Sequence, residues 1–511
     1  MSGSLARRVA TNATAAFASQ ATILLLGLAT TAVLVRTMGA ARFGAWSLVM
    51  ALTAYLGLLD LGLGVALVRR VATASGDDSR SQIARASAAA LGALTILAVA
   101  AGVGLALAAA PLAQWLGIAE ADRHEFVAAV RIGAVGAALA LPGVALGAIP
   151  TAFQRLDSIV RLEAVVSGCV MVAQVALVLA GGGIAVLAAA FSAGRAASLI
   201  ARLLLARSLL GELRWRLDPT YPFWKELGRF GALKVVHQLS SHVVLYLDRV
   251  LVGVLVSVEA VAYYTVAVDL AQRLLMIPGN VGAAYYPAAC AAVNDRGAAG
   301  SLYVGSSRAV ALLTLPPAFG LALLAGPVLR TWVGAEFVGP VAELLQVTAL
   351  AYGAMALTAV PAAAADAHGH PEISARYGMA GLALNLGLAL VLIPRFGTLG
   401  ACWALAGNVV LQSPWFVRRI TALVGVPLSL YARSVLFGPL VPATAAAAAI
   451  AVTSFALGPA DSAASLIIGT AAGAAAFVAA GRLLGTLGPQ ERGFMAAMPG
   501  GKLLRWVVGG A

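Results

Sequence analysis

Lys234, His237, Gln238, Ser241, His242, Asp248 and Arg249 stand inside one long apolar run. Successive spacings of 3, 4 and 7 put Lys234, His237, Ser241 and Asp248 on one face of a helix, with Gln238 and His242 beside them. The next run carries Asp269, Gln272 and Arg273, with Asp269 at the expected depth of Asp248 and Arg249 and Arg273 somewhat deeper. Guanidinium and ammonium groups in such a setting bind oxyanions, bidentately for arginine, and carboxylates compete as exchangeable partners. A cluster of Asp248, Arg249, Asp269 and Arg273 therefore reads either as an anion site that swaps partners or as a static ion-pair lock between neighbouring helices.

The elements around these residues are apolar throughout. Of 511 residues, 61% are hydrophobic and 11% charged, too apolar a balance for a water-soluble chain of this size. Fourteen stretches of bilayer-spanning length lie near 15–36, 43–68, 86–110, 127–149, 159–180, 183–206, 229–257, 260–286, 304–326, 340–365, 374–394, 399–417, 431–456 and 462–485. A bilayer core of ~30 Å takes ~20 helical residues, and backbone groups in lipid must be satisfied within the segment. The expected fold is an all-α integral membrane protein. A β-barrel is excluded by continuous runs such as residues 88–94, where a barrel needs alternating segments. Within that frame a charged residue facing lipid would cost several kcal/mol, so the polar stripe must line a water-filled cavity, with His242 ~18–20 Å from the inner end.

Lys and Arg fall unevenly on the two loop faces, about 24 on one and about five on the other. Positive residues stay on the cytoplasmic side, so both termini are expected there, which requires an even helix count. The net charge of +13 is dispersed over these loops without an aromatic reading surface, a pattern that points to anionic membrane lipids and away from nucleic acid. Arg7 and Arg8 precede an apolar run too long for a signal peptide, which is read as a retained first helix. Cys169, Cys290 and Cys402 have no paired spacing and are expected to pack. His368, His370 and Asp366 share a loop without a metal-specific spacing, and no phosphate-binding glycine loop occurs, so neither metal, cofactor nor ATP hydrolysis is expected.

Other polar residues inside the runs are scattered. Asp60 and Arg195 are cavity candidates, Asp60 also reading as a structural hydrogen-bonding group and Arg131 as a snorkelling one. Glu343, Asn385, Asn408 and Gln412 suit interhelical hydrogen bonds. Gly143 to Gly147 and Gly469 to Gly473 suit close helix contacts, and Pro142, Pro150 and Pro278 suit bends. The polar connector 211–228 divides the chain into an N-terminal six-helix bundle (1–210), a cytoplasmic linker (211–228), a second six-helix bundle (229–425) and an extra helix pair with a tail (426–511). Leu247-Asp248-Arg249-Val250 followed by Val261-Ala262-Tyr263 echoes Val33-Leu34-Val35-Arg36 followed by Gly44-Ala45-Trp46, the mark of an internal repeat around a central cavity.

These segments, with Leu58-Leu59-Asp60-Leu61-Gly62, Tyr286-Pro287, Trp332-Val333-Gly334-Ala335-Glu336-Phe337, His368-Gly369-His370-Pro371 and Leu392-Ile393-Pro394-Arg395-Phe396-Gly397, resemble the polysaccharide flippase branch of the multidrug/oligosaccharidyl-lipid/polysaccharide exporter superfamily. The resemblance extends over about the first 425 residues. It implies translocation of a lipid-linked (polyprenyl-pyrophosphate) oligosaccharide across the bacterial inner membrane by alternating access. That product would feed lipopolysaccharide or exopolysaccharide synthesis, with a polysaccharide polymerase as a partner and no catalysis by this chain. Two other classes stay open: a cation-coupled multidrug exporter of the same fold, and a membrane glycan polymerase or ligase, which short outer loops disfavour. The C-terminal helix pair departs from twelve-helix O-antigen flippases and is shared with lipid II flippases.

Overall fold

The computed structural model describes residues 2–57, 59, 67, 79–153, 156–210, 246–456 and 463–483. Helix is the dominant structure among them, and no strand occurs among the described residues. The chain separates into two compact units, Met1–Ala262 and Tyr263–Ala511.

The first unit holds α1 (Ser2–Gly57), α2 (Ser79–Trp115), α3 (Glu120–Ala152), α4 (Leu156–Leu179), α5 (Ile184–Leu210), α6 (246–255) and the start of α7 (Val258–Gln272). α1 is two helices joined at Gly39, whose φ of +77° is open only to glycine without strain. α3 is the enclosed element, packed on α2, α5 and α1 and burying Phe126, Leu141 and Ile149 completely. Its approach to α5 depends on Gly136, where a Cβ would lie 2.5 Å from Ser192 Oγ. Small residues at such crossings let helix backbones close where lipid supplies no hydrophobic drive. α4, by contrast, turns Val160, Val165, Val172 and Leu179 outward.

The second unit continues α7 and adds a 3-10 turn (Arg273–Leu275), α8 (Met276–Ala292), α9 (Arg296–Leu323), α10 (Ala325–Trp332), α11 (Val338–Ala356), α12 (Ala359–Ala367), α13 (Pro371–Phe396), α14 (Thr398–Val424), α15 (Leu428–Tyr431), a π turn (Ala432–Phe437), α16 (Gly438–Ala456) and α17 (Ala463–Leu483). Tyr285, Tyr303, Phe416, Ile420 and Tyr431 form its core, with Tyr303 and Tyr431 stacked at 5.3 Å. Asp295 caps α9 by accepting from the backbone N–H groups of Gly297 and Ala298.

Among the described residues, eleven helical segments are long and apolar enough to cross a membrane, so the chain is a multi-pass membrane protein. Twelve of the fourteen sequence runs fall in these segments. α1 merges the first two, run seven is described only over 246–255, and the twelfth, α14, carries Asn408, Gln412, Arg418 and Arg419 and is not among the eleven. Two runs expected as single helices are interrupted. The α7 to α8 break falls at Arg273–Leu275 and the α11 to α12 break at Leu357 and Thr358, in each case about four residues before a proline, Pro278 and Pro361. Proline removes an N–H and its ring collides with the carbonyl four residues earlier, which places each break.

Candidate functional site

Two polar clusters lie within the membrane-spanning part of the first unit. The one closer to the α6 to α7 turn joins α6 and the second half of α1. Asp248 and Arg249 are 3% and 7% exposed, roughly 13 Å along the helix from Ser257. Arg249 stacks its guanidinium over the Tyr246 ring, 5.4 Å from the centroid, as residues three apart on a helix can. Tyr55 meets Tyr246 edge to face at 6.4 Å and lies within electrostatic reach of Asp248 and Arg249. The Tyr55 hydroxyl is buried and has no hydrogen-bond partner among the described residues. An oriented aromatic wall thus fixes one face of the guanidinium.

The second cluster escaped the sequence reading. Glu163, seven residues into α4, accepts from Ser198 Oγ at 2.5 Å, from Arg202 Nη2 at 2.8 Å and from Arg202 Nε at 3.2 Å. The other arm of the guanidinium, Nη1, donates to the Gly143 carbonyl of α3 at 2.7 Å. Three helices therefore meet at one arginine. Gly147 makes the space, since a Cβ there would lie 2.6 Å from Nη1. The Gly143 to Gly147 pair, expected to close a helix contact, instead cradles a side chain. Gly473 does close one, with a Cβ position 2.7 Å from Ile450 on α16. In sequence Arg202 reads as one of the basic residues at a loop face, and its partner lies 39 residues away on another helix. The readable signal was the i, i+3, i+7 stripe Arg195, Ser198, Arg202 on α5. Arg195 is half-buried with its guanidinium 5.2 Å over the Phe191 ring.

Asp269, Gln272 and Arg273 belong to the second unit, with Asp269 and Gln272 half-buried and Arg273 exposed. Arg273 opens the 3-10 turn, where a helix already interrupted can re-aim a side chain. Lys234, His237, Gln238, His242 and Asp60 lie outside the described residues.

The minor candidates sort by geometry. Arg131 is exposed and donates to the Ala106 carbonyl at 3.4 Å. Asn408 and Gln412 bond to each other within α14, so this pair is not the interhelical bridge expected of it, and Gly381 leaves room for both amides. Asn385 is buried, and Glu343 faces outward. His368 bonds the Ala364 carbonyl and His370 pairs with Glu372 at 2.8 Å. No group of three metal-ligating side chains occurs among the described residues. Cys402 packs as expected, whereas Cys169 and Cys290 are exposed; none of the three is in a disulfide.

Comparison with known proteins agrees with this architecture. A protein of Shigella flexneri that carries a provisional name as an O-antigen transporter is 23% identical over 401 residues, which cover 76% of this chain and 93% of the relative. The inward closed conformation of the lipid II flippase MurJ superposes with a TM-score of 0.75 at 12% identity, covering 92% of this chain and 98% of that one. An inward-facing multidrug resistance MATE transporter of the MOP superfamily gives 0.65 at 18% identity over 78% and 95% of the two chains. These two share the fold. The family model described as polysaccharide biosynthesis protein matches residues 9–290, more than half of the sequence, and the chain therefore belongs to that family.

Proposed function

We propose that this protein is a flippase that moves a lipid-linked (polyprenyl-pyrophosphate) oligosaccharide across the bacterial inner membrane for surface polysaccharide synthesis, by alternating access with both termini cytoplasmic. The family membership and the match, over 93% of the relative's length, to a protein provisionally named an O-antigen transporter support transport, and the relatives are transporters and not catalysts. The observation that carries the reading is arginine held by exchangeable partners inside membrane spans: Arg249 against an aromatic wall, and Arg202 between the Glu163 carboxylate and the Gly143 carbonyl. A neutral cargo gives no reason to keep such groups in lipid, while a pyrophosphate does.

In this reading Arg249 and Arg273 engage phosphate, Lys234, His237, Gln238 and His242 extend the polar wall, and Asp248 and Asp269 reclaim the arginines as cargo leaves. Gln272, Asp60 and Arg195 complete the lining. The domain plan is two six-helix bundles (1–210 and 229–425) joined by the linker 211–228 and followed by the pair in 426–511. A polysaccharide polymerase would receive the product.

The test is deletion of the gene in its host, with lipid-linked oligosaccharides quantified by mass spectrometry beside a complemented control. Accumulated polyprenyl-linked repeat units with loss of surface glycan are expected. Unchanged pools would overturn the assignment and direct attention to efflux of small amphiphiles. Arg249→Gln and Arg273→Gln should each reduce complementation while leaving membrane insertion intact.

A further inference from the structure

A cavity of about 400 Å³ opens between the first turns of α13 and the last turns of α14, at the arginine-rich end of the second unit. Its polar wall is Arg376 and Arg419, and its floor is Ile373, Leu423 and the Trp415 ring. His370 and Glu372 sit at the rim and satisfy each other at 2.8 Å. Neither Arg376 nor Arg419 makes a side-chain hydrogen bond or a close ion pair among the described residues, and both are exposed. Two guanidinium groups thus face one carboxylate that is already engaged, which leaves the cavity net positive. Below it, Met379 on α13 and Leu411 on α14 are exposed apolar side chains, continuing the same face into the membrane-spanning part.

A cationic mouth over an apolar strip matches a molecule with a phosphate head and acyl chains. A tryptophan beside such a mouth suits the level where headgroup and hydrocarbon meet, where interfacial tryptophans concentrate. We propose that this cavity seats the phosphodiester of an anionic glycerophospholipid of the phosphatidylglycerol type, with Arg376 and Arg419 as its ligands and its acyl chains along Met379, Leu411 and Trp415. Arginine suits the role because its planar fork takes two phosphate oxygens at once. The site does not depend on what the chain transports.

The test uses the purified full chain in phosphatidylcholine vesicles that carry a fixed minor fraction of brominated lipid, either phosphatidylglycerol or phosphatidylcholine. The Trp415 signal is the fluorescence of the wild type less that of Trp415→Phe. Brominated phosphatidylglycerol should quench it severalfold more than the brominated choline lipid. That excess should vanish in the Arg376→Gln/Arg419→Gln double variant and persist in Arg376→Lys/Arg419→Lys and in Arg433→Gln, which removes a basic residue outside the cavity. Equal quenching by the two lipids overturns the proposal, as does an excess that survives the double glutamine variant or falls equally in Arg433→Gln. Loss of the excess on adding inorganic phosphate would make the cavity a free-anion site, and loss on adding a small amount of polyprenyl phosphate would make it a carrier-lipid site; either result overturns the phospholipid assignment.

Discussion

The hairpin of α4 and α5 in the first unit and that of α13 and α14 in the second are fastened at matching heights by opposite chemistry. Glu163 is seven residues into α4 and Arg202 eighteen into α5; Tyr377 is six into α13 and Phe416 eighteen into α14. The first hairpin closes on a carboxylate shared by Ser198 and Arg202, the second on two rings stacked at 4.2 Å and 17°. A stack gains from burial and ring geometry alone and has no alternative partner in a membrane. A charge pair has several, among them water, a proton or a phosphate. Under the proposed flippase function, the first hairpin would be a joint that cargo can open and the second a permanent fastening.

The largest effect on stability should come from the permanent one. Phe416 is fully buried in the second unit's core, and Phe416→Ala should cost about 3–5 kcal/mol through lost contact and a cavity. Melting temperature in detergent should fall steeply, while transport per folded molecule, read by complementation normalised to membrane content, should hold. Lost transport at an unchanged melting temperature would erase the distinction between the two hairpins.

Arg202→Ala should destabilise less and impair transport more. Removing one partner of a buried pair costs about 3–5 kcal/mol, but Arg202 and Glu163 keep 18% and 31% of their side-chain exposure, which reduces the expected loss to roughly 2 kcal/mol. The double variant Glu163→Met/Arg202→Met replaces charge by apolar volume and should return to within about 1 kcal/mol of the wild type without recovering transport. Transport restored along with stability would make this joint a second static fastening. The same contrast divides the two glycine pairs. Gly147→Ala must displace the movable end of Arg202, whereas Gly473→Ala drives into Ile450. Each should cost on the order of 1–2 kcal/mol, with transport falling beyond the stability loss only for Gly147→Ala.

Hydropathy made the helices readable because a bilayer demands long apolar runs whatever the tertiary structure, and thirteen of the fourteen runs have helical counterparts over most of their length. Pro278 marked a real break because a missing N–H is a local property. The Glu163 to Arg202 cluster was harder to see. Its members lie on separate helices, and Arg202 near the end of a basic segment resembles a topology signal. Tyr55 was invisible for another reason: a tyrosine in an apolar run reads as packing until its hydroxyl is seen buried beside Asp248 and Arg249.

That hydroxyl offers the smallest and sharpest test of which joints move. A buried hydroxyl without a hydrogen-bond partner carries a desolvation cost of about 1–3 kcal/mol with nothing returned, so Tyr55→Phe should leave the melting temperature unchanged or raise it slightly. The ring keeps its edge-to-face contact with Tyr246. If the hydroxyl serves an anion held by Arg249 during transport, complementation should fall severalfold in this variant even though the folded protein is no weaker. A variant equal to the wild type in both measurements would confine Tyr55 to packing and leave Arg249 with Tyr246 as the only aromatic contact that matters there. A drop in melting temperature would mean instead that the hydroxyl is bonded in the resting protein, and that the cluster around Asp248 is a fastening of the same kind as Tyr377 on Phe416.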